Sequence, residues 1–162
     1  MVTHIIAIRK FLKDHPKIEE QHLTTSEINS MFIKPETKGI GYPFITQYIN
    51  QCDALTGKPL VQPATVFISH AWRYSFYDVV VEVMEQHACE HPDAYFWFDL
   101  FTNDQNALAS NDFDWFQTTF TQGVREIGQV LLVVSSWNDH IPIQRAWCLY
   151  EIFTVLEDPK IA

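Results

Sequence analysis

The carboxylate of Glu151 has the setting in this sequence that points most clearly to chemistry. It lies in the stretch RAWCLYEIFTVLE, residues 145–157, among large apolar side chains. On a helix, the side chains three and four positions away share its face, and none of them is basic. These neighbours are Trp147, Cys148, Thr154 and Val155.

A buried carboxylate without a cation costs stability or takes up a proton. Glycosidic chemistry uses such a group, because a carboxylate can stabilise an oxocarbenium-like centre or hold a ribose hydroxyl. The residue types alone also allow a glutamate that caps a loop or reaches solvent past Trp147.

Three short apolar runs alternate with helical patterns from residue 65 onward. The strand candidates are TVFIS (65–69), YFWFDLF (95–101) and QVLLVVSS (129–136). The helix candidates that follow them are SFYDVVVEVMEQHA (75–88), DFDWFQTTFTQGVREI (112–127) and PIQRAWCLYEIFTVLE (142–157). This alternation predicts an α/β fold with a doubly wound parallel sheet and right-handed crossovers. The expected spatial order of the three strands is second, first, third.

Ligands of such sheets bind beyond the carboxyl ends of the strands. The first strand candidate ends there with Ser69 and is followed by His70, Trp72 and Arg73. An exposed Trp72 could stack on a base or a nicotinamide ring while Arg73 steers a phosphate. Alternatively, Trp72 packs under the N-terminal segment and Arg73 is solvated.

Asp99 follows the second strand candidate, and the stretch SSWNDH (135–140) follows the third. An acid near the position of Asp99 can hold ribose hydroxyls in doubly wound folds. Anchoring of the loop is an equally open interpretation of this residue.

The first 62 residues are expected to form a helical N-terminal extension, and residues 63–162 the α/β domain. HIIAIRKFLKDH and PFITQYINQC read as helices, and DALTGKPLVQPA reads as a loop. TTSEINSMFI carries a capping box, formed by Thr24 and Glu27, and Pro35 is expected to stop that helix.

Composition excludes several classes of function. The net charge of −9 weighs against nucleic acid or an anionic membrane as a partner. No apolar stretch approaches the roughly 20 residues that span a bilayer, and the N-terminus is a poor signal peptide, so we expect a cytoplasmic protein. The three cysteines are odd in number and far apart, which predicts free thiols. Phosphate-binding glycine loops and metal-ligand spacing of histidines are both missing from the sequence, so no metal and no cofactor is expected.

Two elements resemble the Toll/interleukin receptor (TIR) domain family. VFISHAW with the acidic helix after it is similar to the first box of that family. VLLVVSSWN followed by RAWCLYEIF resembles its third strand and W-C-x-x-E helix. The resemblance covers residues 65–157 and implies a flavodoxin-like sheet. Two features depart from it: the loop after the second strand lacks glycine, and the chain stops where the family continues with two further strands, which implies an incomplete sheet.

The resemblance also implies a function. Enzymatic members of the family cleave the nicotinamide–ribose bond of NAD with a glutamate in this helix, and the matching position here is Glu151. NAD or a related nucleotide would then be the substrate, with Trp147 and the loop from His70 to Arg73 lining its pocket. Members also associate with themselves through this domain, in immune or stress signalling. The alternatives are a non-enzymatic TIR-like interaction module and a glycosidase similar to nucleoside deoxyribosyltransferases.

Overall fold

A computed structural model describes residues 2–107 and 113–135 of the chain, together with positions 153 and 156. The strands in these ranges are β1 (Val2–His4), β2 (Val61–Gln62), β3 (Val66–Ser69), β4 (Tyr95–Trp97) and β5 (Val130–Leu132). The α-helices are α1 (Ile5–Asp14), α2 (Lys17–Glu20), α3 (Thr25–Ile28), α4 (Lys34–Thr37), α5 (Glu82–Glu90), α6 (Asp99–Thr102) and α7 (Phe113–Ile127). Asn29–Ile33 and Phe76–Val81 are π-helical, and Phe44–Tyr48 is a 3-10 helix. None of the described helices combines the length and apolar character needed to cross a membrane.

The strands form one sheet in the order β2-β1-β4-β3-β5. β3 is parallel to both β4 and β5, which confirms the predicted α/β class and the predicted spatial order of the three strand candidates. β1 is antiparallel to β2 and to β4, so the described sheet is mixed.

The two antiparallel strands come from the segment predicted to be helix and loop. The helix pattern HIIAIRKFLKDH holds as α1, but Val2–His4 before it pairs with β4 through Thr3 and Phe96. The loop pattern before residue 65 likewise contains β2. Strands this short carry little local signal, and their conformation comes from pairing with a distant strand.

Two boundaries also differ from the prediction. The apolar run 95–101 is not one strand, because β4 ends at Trp97 and α6 begins at Asp99. A short apolar run buried on all sides looks the same in a strand and in a buried helix. Pro35 does not stop its helix: the π-helical segment Asn29–Ile33 runs directly into α4, and the helical backbone continues through Pro35 to Thr37.

Both faces of β3 and β4 are covered. Val66, Ile68 and Phe96 belong to a core cluster that also contains the N-terminal helices. On the opposite face, the rings of Phe67 and Trp97 stack with centroids 4.6 Å apart. Helix α7 packs on that face, since a β-carbon at Gly123 would lie 3.9 Å from the Phe67 ring.

The remaining helix predictions are met to different extents. The predicted helix 112–127 is present as α7, and the predicted helix 75–88 is present as a π-helical segment continued by α5. For the predicted helix 142–157, Phe153 and Leu156 are helical and exposed. Its other residues lie outside the described part of the chain.

Candidate functional site

The carboxyl ends of β3 and β4 lie at one edge of the sheet, because the strands are parallel. Ser69 ends β3 with 1% of its surface exposed, and His70 after it is 5% exposed. The His70 ring packs against Phe98 at a centroid distance of 5.0 Å. The Ser69 carbonyl accepts a hydrogen bond from the amide of Val133, 2.8 Å away, just after β5. The side chains of Ser69 and His70 are therefore buried where β3 ends.

Trp72 and Asp99, predicted separately from two strand ends, are in direct contact. Nε1 of Trp72 donates a hydrogen bond to Oδ2 of Asp99 at 2.7 Å. The Trp72 side chain is partly buried against the core cluster, and its carbonyl accepts a hydrogen bond from the amide of Ser26 at 3.0 Å. Trp72 thus contacts the N-terminal segment, as in the second of the two interpretations, while it also joins the strand-end cluster.

This contact defines what the pair can offer a ligand. With its N–H donated to Asp99, the Trp72 indole has only its ring available for a further interaction. A carboxylate has about four lone-pair positions, so Asp99 can accept hydrogen bonds beside the one from the indole. The pair therefore places an aromatic ring next to a carboxylate, of which Oδ1 is buried and Oδ2 accepts from the indole.

Arg73 occupies the turn after β3, which is closed by a hydrogen bond of 2.9 Å from the amide of Tyr74 to the carbonyl of Ala71. The Arg73 side chain is exposed to solvent. Arg73 follows Trp72 directly in sequence. An anionic group of a ligand bound at this edge would therefore lie near its positive charge.

Two residues at this edge, Asn29 and Gln105, were not singled out from the sequence. Nε2 of Gln105 donates to the carbonyl of Asp99 at 2.7 Å and to that of Leu100 at 3.2 Å. Nδ2 of Asn29 donates to Oε1 of Gln105 at 3.4 Å, and both amide side chains are buried. The only available signal was the unusually polar, glycine-free loop that contains Gln105; no local pattern marks Asn29.

The predicted catalytic residue Glu151 and the predicted binding residue Trp147 lie outside the described residues, as does Cys148. Cys52 and Cys89 are free, exposed thiols. Within the described ranges, no three histidine, cysteine or acidic side chains are placed to hold a metal ion.

Two clefts of the described chain lie away from the strand carboxyl ends. One, of about 480 Å³, is lined by Arg9, Leu12, Tyr77, Asp78, Val81, Glu82 and Glu85. The other, of about 340 Å³, lies where the strands begin and contains His87 and His91. The pKa of His87 is lowered by burial and by the neighbouring imidazole of His91. Neither cleft contains a residue predicted to bind the ligand.

Comparison of the chain with protein-family models, with curated proteins and with solved structures gives no significant match. The resemblance to the TIR family therefore depends on the residues of the two elements quoted above.

Proposed function

We propose that this chain is a TIR-like domain with a flavodoxin-like sheet that cleaves the nicotinamide–ribose bond of NAD, by hydrolysis or by cyclisation. The observation that carries the proposal is the contact between Trp72 and Asp99, at the edge where parallel strands end. Doubly wound sheets bind nucleotides at this edge. An aromatic ring beside a carboxylate matches the chemistry of a nicotinamide riboside.

Glu151 is the catalytic residue of the proposed reaction. The bond between C1′ of ribose and the nicotinamide nitrogen breaks, and its electron pair leaves with nicotinamide. The carboxylate of Glu151 stabilises the positive charge that develops on the ribose. In hydrolysis, water adds to C1′ and releases a proton; in cyclisation, a nitrogen of the adenine ring adds instead.

The remaining residues of the proposed site bind the substrate or support the loop that binds it. Asp99 accepts a hydrogen bond from a ribose hydroxyl, Trp72 packs its ring on the nicotinamide, and Arg73 attracts the pyrophosphate. Ser69 and His70 are buried and support this loop from inside, and Trp147 is a further residue proposed to contact the substrate.

The proposed setting is immune or stress signalling in the cytoplasm, with self-association through the TIR-like domain. The support for self-association is β5, which pairs only with β3 within the part of the chain that the structure describes. The backbone groups on the other side of such a strand can pair with a second copy.

The test is incubation of the self-associated protein with NAD and, separately, with deoxynucleosides, followed by chromatography of the products. We expect release of nicotinamide from NAD and no change in the deoxynucleosides. Glu151→Gln keeps the size of the side chain but removes its charge, and it should slow NAD cleavage by at least ~10²-fold.

The matched control is Glu157→Gln, which makes the same change on the same predicted helix and should leave the rate unaltered. Cleavage of deoxynucleosides alone would identify a deoxyribosyltransferase-like glycosidase instead. No turnover of either substrate by the self-associated parent would identify an interaction module.

A further inference from the structure

The loop after β3 is bonded to the first turn of α3. The amide of Ser26 donates to the carbonyl of Trp72 at 3.0 Å, and the amide of Thr25 donates to the carbonyl of Tyr74 at 3.2 Å. Amides in the first turn of a helix have no partner within the helix, so they are available for such bonds. The N-terminal segment therefore holds the backbone on both sides of Arg73.

The chain after β4 is bonded to the same N-terminal segment, one helical turn further on. Asn29 donates to Gln105, and Gln105 donates to the carbonyl of Asp99. The hydrogen bond from Trp72 to Asp99 joins the two loops to each other. The amide of Asn29 also donates to the carbonyl of Ser26, so a closed circuit of hydrogen bonds joins Ser26, Asn29, Gln105, Asp99 and Trp72.

The bond between Asn29 and Gln105 is a poor source of stability. It is long, at 3.4 Å, and both side chains are at least nine-tenths buried. Oδ1 of Asn29 has no hydrogen-bond partner among the described residues. A buried acceptor without a partner lowers stability, so the bond between Asn29 and Gln105 contributes little to the free energy of unfolding.

The effect of this bond is instead on the relative position of the two segments that it joins. Buried polar pairs fix the relative position of the segments that carry them, because only one arrangement satisfies them. Asn29 is also the first residue of a π-helical segment, a local feature that is frequent at functional sites and changes where a side chain points.

We propose that Asn29 and Gln105 are positioning residues that act through Asp99 on Trp72. Through them the N-terminal segment becomes part of the NAD-binding site. This inference rests on the proposed function for its ligand, but the coupling from Asn29 to Trp72 can be measured without NAD. Neither residue touches the substrate; their effect is to hold the indole and the carboxylate in one relative orientation.

The first measurement is the NMR resonance of the Trp72 indole N–H, identified by its loss in Trp72→Phe. Asn29→Leu should shift this resonance while the other four of the five indole signals stay in place. Gln86→Leu is the matched control, because it replaces an amide with the same apolar side chain at an exposed helical position outside the circuit and should leave the Trp72 signal unmoved.

The second measurement is NAD affinity in the Glu151→Gln background, where turnover does not interfere. Asn29→Leu should raise the Kd about 3- to 10-fold, the size of one lost hydrogen bond, and the control Gln86→Leu should leave it unchanged. Asn29→Ala serves as the second variant and should shift the same resonance.

An unmoved Trp72 resonance in folded Asn29 variants would overturn the inference. So would unfolding of both variants, since the pair would then be a determinant of stability. If the parent binds no NAD while the Trp72 resonance responds to Asn29, the proposed function fails and the coupling stands.

Discussion

Nε1 of Trp72 lies 2.7 Å from Oδ2 of Asp99, and this bond connects the loops that follow two neighbouring parallel strands. Hydrogen bonds to a charged acceptor are stronger than neutral ones, and partial burial reduces competition from water. The bond therefore holds in place the two groups proposed to contact the nicotinamide and the ribose.

The strength of this bond can be measured with a double-mutant cycle of Trp72→Phe and Asp99→Ala. We expect a coupling of about 1.5 to 3 kcal/mol in the free energy of unfolding, the range for hydrogen bonds to charged groups. Urea denaturation of the parent, both single variants and the double variant gives the value. Additive effects of the two changes would show that the contact does not form in solution.

The capping box at the start of α3 is a second interaction whose contribution to stability can be measured. Oγ1 of Thr24 accepts from the amide of Glu27, whose carboxylate accepts from the amide of Thr24 at 2.8 Å. Thr24→Ala removes the cap and should lower the free energy of unfolding by about 1 kcal/mol. Thr24→Ser keeps the hydroxyl and should match the parent; equal losses in the two variants would contradict a role of the hydroxyl in capping.

Sequence patterning predicted the elements whose signal is local. Four successive buried residues, Val66–Ser69, carry no charge, as expected of a strand covered on both faces. The capping box is a four-residue pattern and was also predicted. By contrast, β1 became visible only in the structure, because its three residues are strand through pairing with β4.

The candidate site likewise contains residues that the sequence could identify and one that it could not. Trp72 and Asp99 could each be placed at a strand end, and parallel pairing then brings those ends together. Asn29 could not be found, because its partner Gln105 is 76 positions away and an asparagine within a helical pattern has no distinctive spacing. Long-range contacts between single polar side chains leave no periodicity in a sequence.

His87 gives the protein an expected pH dependence of stability. Burial and the adjacent His91 lower the pKa of His87, and Glu90 opposes this in part. The ordinary pKa of histidine is about 6.5. As the pH falls below this value, the unfolded chain takes up a proton at His87 before the folded chain does. The free energy of unfolding should therefore fall as the pH drops from about 6.5 through the lowered pKa, with no contribution from His87 above that range.

Denaturation at pH 8 and pH 5.5 measures this dependence, and His87→Gln should reduce the difference between the two values. The carboxyls of Glu27 and Asp78 also have lowered pKa values, so the stability they contribute is present above about pH 4 and is lost only below it. They do not interfere at pH 5.5. An unchanged difference in His87→Gln would assign the pH dependence to other groups.

Self-association should depend on the edge strand β5. In the described residues this strand pairs only with β3, and Leu132 and Val134 are 37% and 42% exposed. A lysine at an edge strand opposes pairing with another chain, because its charge must stay hydrated. Light scattering should therefore show that the parent exceeds the monomer mass of 18.9 kDa and that Leu132→Lys returns to it.

Leu55→Lys is the matched control, since this loop leucine is 94% exposed and lies outside the strands. It should self-associate like the parent. A monomeric parent, or equal dissociation in the two variants, would show that β5 is not the contact.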